Sequence, residues 1–112
     1  MLAGRTAEAF AARFREVLAR LRVAERDGAV IGFSLLTEGH IDMMFVDPSA
    51  QRGGAGQALL ADAEAWGARS LECFRDNFPA RRFYERHGWR LARSYAREFA
   101  GRTRDFVFYE KP

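Results

Sequence analysis

The run Gln51-Arg52-Gly53-Gly54-Ala55-Gly56 has the residue types needed to hold an anion. Three glycines in four positions let the backbone come close to a ligand, and they stand where an apolar stretch gives way to a helical pattern. The first amides of such a helix lack intrahelical partners, and the positive end of its dipole adds to them, so the turn suits a phosphate. Arg52 adds a cation. The same glycines also suit a plain flexible connection. Two further features carry chemistry-bearing side chains. Asp42 is a carboxylate inside an otherwise apolar run, where it needs a cationic partner, such as Arg22 or Arg93, or a proton-transfer task. Further on, Asn77 to Trp89 places Asn77, Tyr84 and His87 around a short helical pattern. Asn77 ahead of Pro79 suits an N-cap, Tyr84 a core-facing ring with its hydroxyl toward water, and His87 a cation at a helix end.

The elements that must position these groups are legible in the hydrophobic periodicity. A helix is expected over 6–20, with Thr6 as N-cap and Phe10, Phe14, Val17, Leu18 and Leu21 on one face. A strand over 21–25 turns at Asp27-Gly28 into a nearly all-apolar strand over 29–36, which suits burial on both faces. Gly32 inside it signals a bulge or a close neighbour. Glu38-Gly39 makes the next turn, and 40–46 reads as a central strand that Asp47-Pro48 stops. After the glycine turn a helix is expected over 57–68, its inner face formed by Ala55, Leu59, Ala63 and Trp66. A short strand over 70–74 precedes a helix running from Pro79 to about His87, with Gly88 as its C′ residue. A long strand over 89–99 alternates Trp89, Leu91, Tyr95 and Phe99 against polar neighbours, so one of its faces should be wet. Arg90, Arg93 and Arg97 on that strand form either a solvated face or the wall of an acceptor pocket. The last strand covers 104–109. The order is helix, three strands, helix, strand, helix, two strands, an α/β sandwich on one mixed sheet.

The 112 residues fit one domain with one core. Apolar residues at 48% and charged residues at 29% are globular values, which excludes wholesale disorder. The net charge of +3 comes almost entirely from arginine. Those arginines alternate with Asp and Glu and form no basic block, so no nucleic-acid partner is expected. Cys73 is the single cysteine, which allows no intrachain disulfide, fits a reducing cytoplasmic setting and reads as a buried, inert thiol. No apolar stretch approaches the roughly 18–20 residues that span a bilayer, and the first residues do not read as a signal peptide. No membrane and no metal are expected.

The glycine run is not a P-loop, because no Gly-Lys-Ser/Thr follows it. Nor is it a dinucleotide fingerprint, since Leu59 stands where the third glycine belongs. It matches the pattern Gln/Arg-x-x-Gly-x-Gly/Ala, preceded by Phe45-Val46-Asp47-Pro48 and followed by an Ala-Leu-Leu-Ala helix. The second segment reads Asn77-Phe78-Pro79-Ala80-Arg81-Arg82-Phe83-Tyr84-Glu85-Arg86-His87-Gly88-Trp89. In this order and separation the two segments resemble the cofactor-binding core of the GNAT superfamily of acyl-CoA-dependent N-acyltransferases, and the resemblance spans roughly residues 20 to 110.

The resemblance implies acetyl-CoA as co-substrate and a primary amine as acceptor, joined by direct attack in a ternary complex. It implies that backbone groups of Phe45 and Val46 align the pantetheine arm like an added strand. The amides of Gln51, Arg52, Gly53, Gly54, Ala55 and Gly56 would hold the pyrophosphate, and Asn77 would bond the pantetheine. Tyr84 would protonate the departing thiolate, and Asp42 would take the amine's proton through water. Glu38 and His40 are weaker candidates for that base. Positioning alone supplies effective molarities of about 10⁵–10⁸ M, so the intact cofactor loop argues more strongly for transfer than any one acidic residue. The resemblance implies a mixed, mostly antiparallel GNAT-like sheet flanked by helices, here lacking the usual first strand and one helix. Those elements help form the acceptor side, and an uncovered sheet edge invites a partner, so a homodimer is expected. A catalytically silent acyl-CoA-binding regulatory domain is the alternative reading.

Overall fold

The computed structural model describes residues 7–112, apart from the side chains of residues 7–10, 13, 14 and 52. Thr6 as a cap, the Phe10 and Phe14 side chains and the Arg52 guanidinium therefore lie outside the described residues. Helix α1, Ala7–Arg20, passes directly into strand β1, Leu21–Arg26. Asp27 and Gly28 turn the chain at φ 52° and 82°, the positive values that two-residue hairpin turns require. Strand β2, Ala29–Thr37, is followed by the same device at Glu38 and Gly39, φ 44° and 86°, and then by β3, His40–Val46. Asp47 closes β3 and caps a 3₁₀ turn, Pro48–Gly53, by accepting from Ser49 N at 2.9 Å and Ser49 Oγ at 2.8 Å. Helix α2 is Ala55–Ala65, strand β4 Ser70–Phe74, helix α3 Phe78–Arg86, strand β5 Arg90–Phe99 and strand β6 Arg102–Glu110. The element order is the expected one.

The six strands form one sheet in the order β1-β2-β3-β4-β6-β5, with β3–β4 parallel and the other neighbours antiparallel. Helices α2 and α3 cover one face, and the core lies between them and Ile41, Leu71, Val107 and Tyr109. Two irregularities set where side chains point. Leu35 and Leu36 pair with Met43 and Ile41, so Asp42 is the extra residue of a bulge. Ile41, Met44 and Val46 therefore face the helices, while Asp42, Met43 and Phe45 face the other side. The parallel β3–β4 ladder pairs only His40 with Ser70 and Ile41 with Leu71. Beyond those pairs the two strands part.

Gly32 is required by its neighbours. A Cβ there would lie 2.7 Å from Phe45 O and 3.1 Å from Leu59 Cδ1, and the adjacent Ile31 is itself bulged out of the β1–β2 ladder. Both expected signals of this glycine are present together.

Three packing expectations need correction. Trp66 is 64% exposed rather than on the inner face of α2, because the helix ends at Ala65 and Leu60 fills the buried position instead. Its indole lies under the Arg22 guanidinium at 4.3 Å, and that guanidinium grips Asp62 through two bonds of 2.5 and 2.9 Å. The stripe expected on β5 is divided between faces. A bulge between Leu91 and Arg93 puts Leu91 opposite Tyr109 but Tyr95 opposite Phe106, so even spacing no longer means one face. Strand β2 is buried only toward the helices, at Gly32 and Ser34. On its other side Met43 and Phe45 of the neighbouring β3 are 53% and 50% exposed.

Ser34 Oγ is buried with no hydrogen-bond partner among the described residues. An unpaired buried hydroxyl costs about 1–3 kcal/mol of desolvation. Ser34→Ala is therefore expected to stabilise the fold by about 1 kcal/mol, read as a higher urea midpoint at unchanged m.

Candidate active site

The turn that joins β3 to α2 brings unpaired backbone donors to one place. Gly54, at φ 85°, is the N-cap of α2 and spends no side chain on it. The helix's first bond runs from Ala58 N to Gly54 O at 3.0 Å, which leaves the amides of the first turn without intrahelical partners. No acidic side chain sits in that turn to offset the dipole. Arg26 of β1 donates Nη2 to Gly53 O at 3.0 Å, and a Cβ on Gly53 would lie 2.2 Å from that nitrogen. Arg26 thus adds a cation beside the turn. Sequence reasoning missed it because its contact spans 27 residues with no local signal.

A cleft of about 360 Å³ opens beside this turn, on the helix-covered face where β3 and β4 part. Met44 and Val46 form one wall, Gln51 and Gly56 the floor of the turn, and Asn77, Pro79, Ala80, Phe83 and Tyr84 of α3 the other wall. The structure thus brings Val46, Gln51, Gly56, Asn77 and Tyr84 together. Met44, Pro79, Ala80 and Phe83 join them without having been singled out for the site, although Pro79, Ala80 and Phe83 lie within the quoted segment. Gln51 Nε2 reaches Val46 O at 3.4 Å. Gly54 lies on a neighbouring hollow with Arg86 and His87, and Phe45 points to the opposite face.

Asn77 acts as the cap expected from its position. Its Oδ1 accepts from Ala80 N at 3.3 Å, and the same orientation leaves its amide hydrogens free to donate into the cleft. Tyr84 is 9% exposed, and burial pushes its hydroxyl up to about 12, with the nearby Cys73 adding to the effect. The group is a protonated donor at neutral pH. Burial likewise pushes the Cys73 thiol up to about 11, which agrees with an unreactive thiol.

Asp42 stands on the sheet's other face. It accepts from Arg20 Nη1 at 2.9 Å and from the Thr37 hydroxyl. Its cationic partner is therefore Arg20, not Arg22 or Arg93, because the bulge turns it toward the end of α1. The next residue across the parting, Glu72, is held by Arg97 through Nη2 at 2.5 Å and by the Tyr95 hydroxyl. Arg97 is the main reason its carboxyl lies below the usual range. His40 bonds Ser70 Oγ at 2.8 Å and stacks on Phe108 at 5.9 Å, while Glu38 is a turn residue.

A family model described as an acetyltransferase (GNAT) domain matches residues 18–91. The chain belongs to the GNAT acetyltransferase family. It is 35% identical over 91 residues to the blasticidin-S acetyltransferase of Streptomyces morookaense, covering 74% of this chain and 67% of that protein. It is 37% identical over 71 residues to the peptidyl-lysine N-acetyltransferase YiaC of Escherichia coli (strain K12), covering 62% of this chain and 49% of that one. Among solved structures, Naa50 of Arabidopsis thaliana in complex with the bisubstrate analogue CoA-Ac-MVNAL superposes with a TM-score of 0.75 at 16% identity, covering 88% of this chain and 78% of that chain. That likeness is one of fold. The mostly antiparallel sheet with a single parallel junction is the GNAT architecture, carried here with three α-helices among the described residues.

Proposed function

We propose that this GNAT protein is an N-acetyltransferase that moves an acetyl group from acetyl-CoA to a primary amine by direct attack in a ternary complex. The observation that carries the reading is the cleft at the β3–β4 parting, which ends at the N-terminus of α2, where no side chain caps the first amides. An extended arm laid against Met43 to Val46 would gain the backbone bonds that β4 gives up there, and a diphosphate would meet the first-turn amides. The acetyl-CoA assignment rests on this geometry together with family membership. Tyr84 is the proton donor to the leaving thiolate, and Asn77 orients the arm through its amide hydrogens. The amine enters from the opposite face and gives its proton to Asp42 through water, a reading supported by the position of Asp42 on that face of β3.

Isothermal calorimetry with acetyl-CoA and CoA tests the reading directly. Saturable 1:1 binding is expected, and a folded protein that binds neither overturns it. Direct transfer also predicts that Cys73 forms no acyl intermediate. Its thiol is up at about 11, so Cys73→Ser should keep turnover within about threefold. Burst-phase acylation of the wild type that Cys73→Ser abolishes would refute the direct route.

The outer edge of β1 has no strand partner among the described residues, and Val23 of β1 and Val30 of the adjacent β2 are 51% and 57% exposed. A second copy covering this edge makes a homodimer. Sedimentation as a monomer across the micromolar range would exclude it.

A further inference from the structure

One row of side chains crosses the open face of the sheet at the β3–β4 parting. Asp42 and Glu72 flank the parting, Phe108 of β6 pairs with Glu72, and Arg93 of β5 pairs with Phe108. Arg93 belongs to the exposed edge strand, and its guanidinium lies over the ring of Phe108, the residue it pairs with, 4.0 Å from the centroid. Arg97, two side-chain positions along the same face, lies over Phe106 at 4.2 Å and is held there by the ion pair with Glu72. Arg93 has no carboxylate partner among the described residues. With Asp42 matched by Arg20 and Glu72 by Arg97, the row keeps one uncompensated positive charge.

We propose that the acceptor carries an anionic group, a carboxylate or a phosphate, a few bonds from its reacting amine, and that Arg93 recognises it. The inference rests on the acetyltransferase reading, which places the amine at the parting on this face. Adjacent strands lie about 4.8 Å apart, so a cation over β6 is roughly 7 Å from the parting, a reach of about four to six bonds. Contact with the Phe108 ring holds the guanidinium in place, and its N–H groups can meet an anion through two bonds. An amine lacking the anion would leave that charge unmatched, and a bulky apolar group there would displace it from the ring.

The test uses the full chain with acetyl-CoA and matched acceptor pairs whose anion lies four to five bonds from the amine: 4-aminobutyrate against its carboxamide, and O-phosphoethanolamine against ethanolamine. Released CoA is read by thiol detection. The charged member of at least one pair is expected to show at least a tenfold higher kcat/KM. Arg93→Gln should raise KM for that member about tenfold with kcat within twofold, leave its neutral counterpart unchanged, and be partly rescued by Arg93→Lys. Equal turnover of both members, no turnover of any charged member, or an equal loss on both in Arg93→Gln would overturn the proposal. Calorimetry separates the two levels. CoA binding without charge discrimination overturns this inference alone, whereas no CoA binding overturns the acetyltransferase reading and this inference with it.

Discussion

Tyr84→Phe is expected to lower kcat by about 10²-fold while leaving acetyl-CoA affinity within about threefold. On the proposed route the hydroxyl is used only when the thiolate departs, so its loss should appear in the transition state and not in donor binding. The ring that walls the cleft remains. Only burial and the neighbouring Cys73 act on the hydroxyl, so the fold loses no internal bond and the thermal midpoint should hardly move. A hydroxyl at about 12 is a weak acid for an ordinary thiolate, whose conjugate acid lies near 8.5 in water. Cys73 shows what the same surroundings do to sulfur, since its thiol is pushed to about 11. Removal of a thiolate from water acts in the same direction, which favours its taking a proton from Tyr84. An unchanged kcat in a folded Tyr84→Phe protein would remove Tyr84 from the mechanism and leave solvent as the acid.

The parts of this site that were legible in the sequence are those whose physics is local. Asp27-Gly28 and Glu38-Gly39 announce their turns because few other residues adopt positive φ there. Asn77 announces a cap because its side chain bonds an amide three residues on. The glycine turn and the Tyr84 segment each carry their chemistry within a dozen residues. What escaped depends on register and on distant partners. Asp42 was visible as an anomaly, but its bulge depends on how Leu35 and Leu36 pair across the hairpin. The bulge in turn decides that Arg20, and not Arg22 or Arg93, meets the carboxylate. The β5 stripe failed for the same reason, since one extra residue after Leu91 moves Tyr95 to the other face. Trp66 failed because helix periodicity was carried past the true end of α2, where Gly67 at φ 94° already breaks it. Arg26 and the parting of β3 from β4 have no sequence signal at all. Both arise from the folded arrangement of segments far apart in the chain.

Gly56→Asp separates donor binding from folding, because the two should respond in opposite directions. Gly56 lies in the first turn of α2 and its φ is not positive, so an L-residue fits the backbone. A Cβ there would lie 3.5 Å from Phe83 Cζ and 3.8 Å from Val46 Cγ2, which are ordinary contact distances. For the helix the change is favourable. It removes a glycine that costs about 0.5–1 kcal/mol and places a carboxylate at the positive end of the dipole, worth about 0.3–1 kcal/mol. For the donor it is adverse. The carboxylate occupies the cleft and opposes a diphosphate at the amides that should hold it, and like charges brought together at an interface cost several kcal/mol. The expected result is an acetyl-CoA KM raised at least ~100-fold, about 2.7 kcal/mol, with an equal or higher thermal midpoint. Gly56→Ala, which adds only the tolerated Cβ, should keep KM within about fivefold. A folded Gly56→Asp protein with an unchanged acetyl-CoA KM would place the donor phosphates away from the α2 terminus and remove the central support for the site.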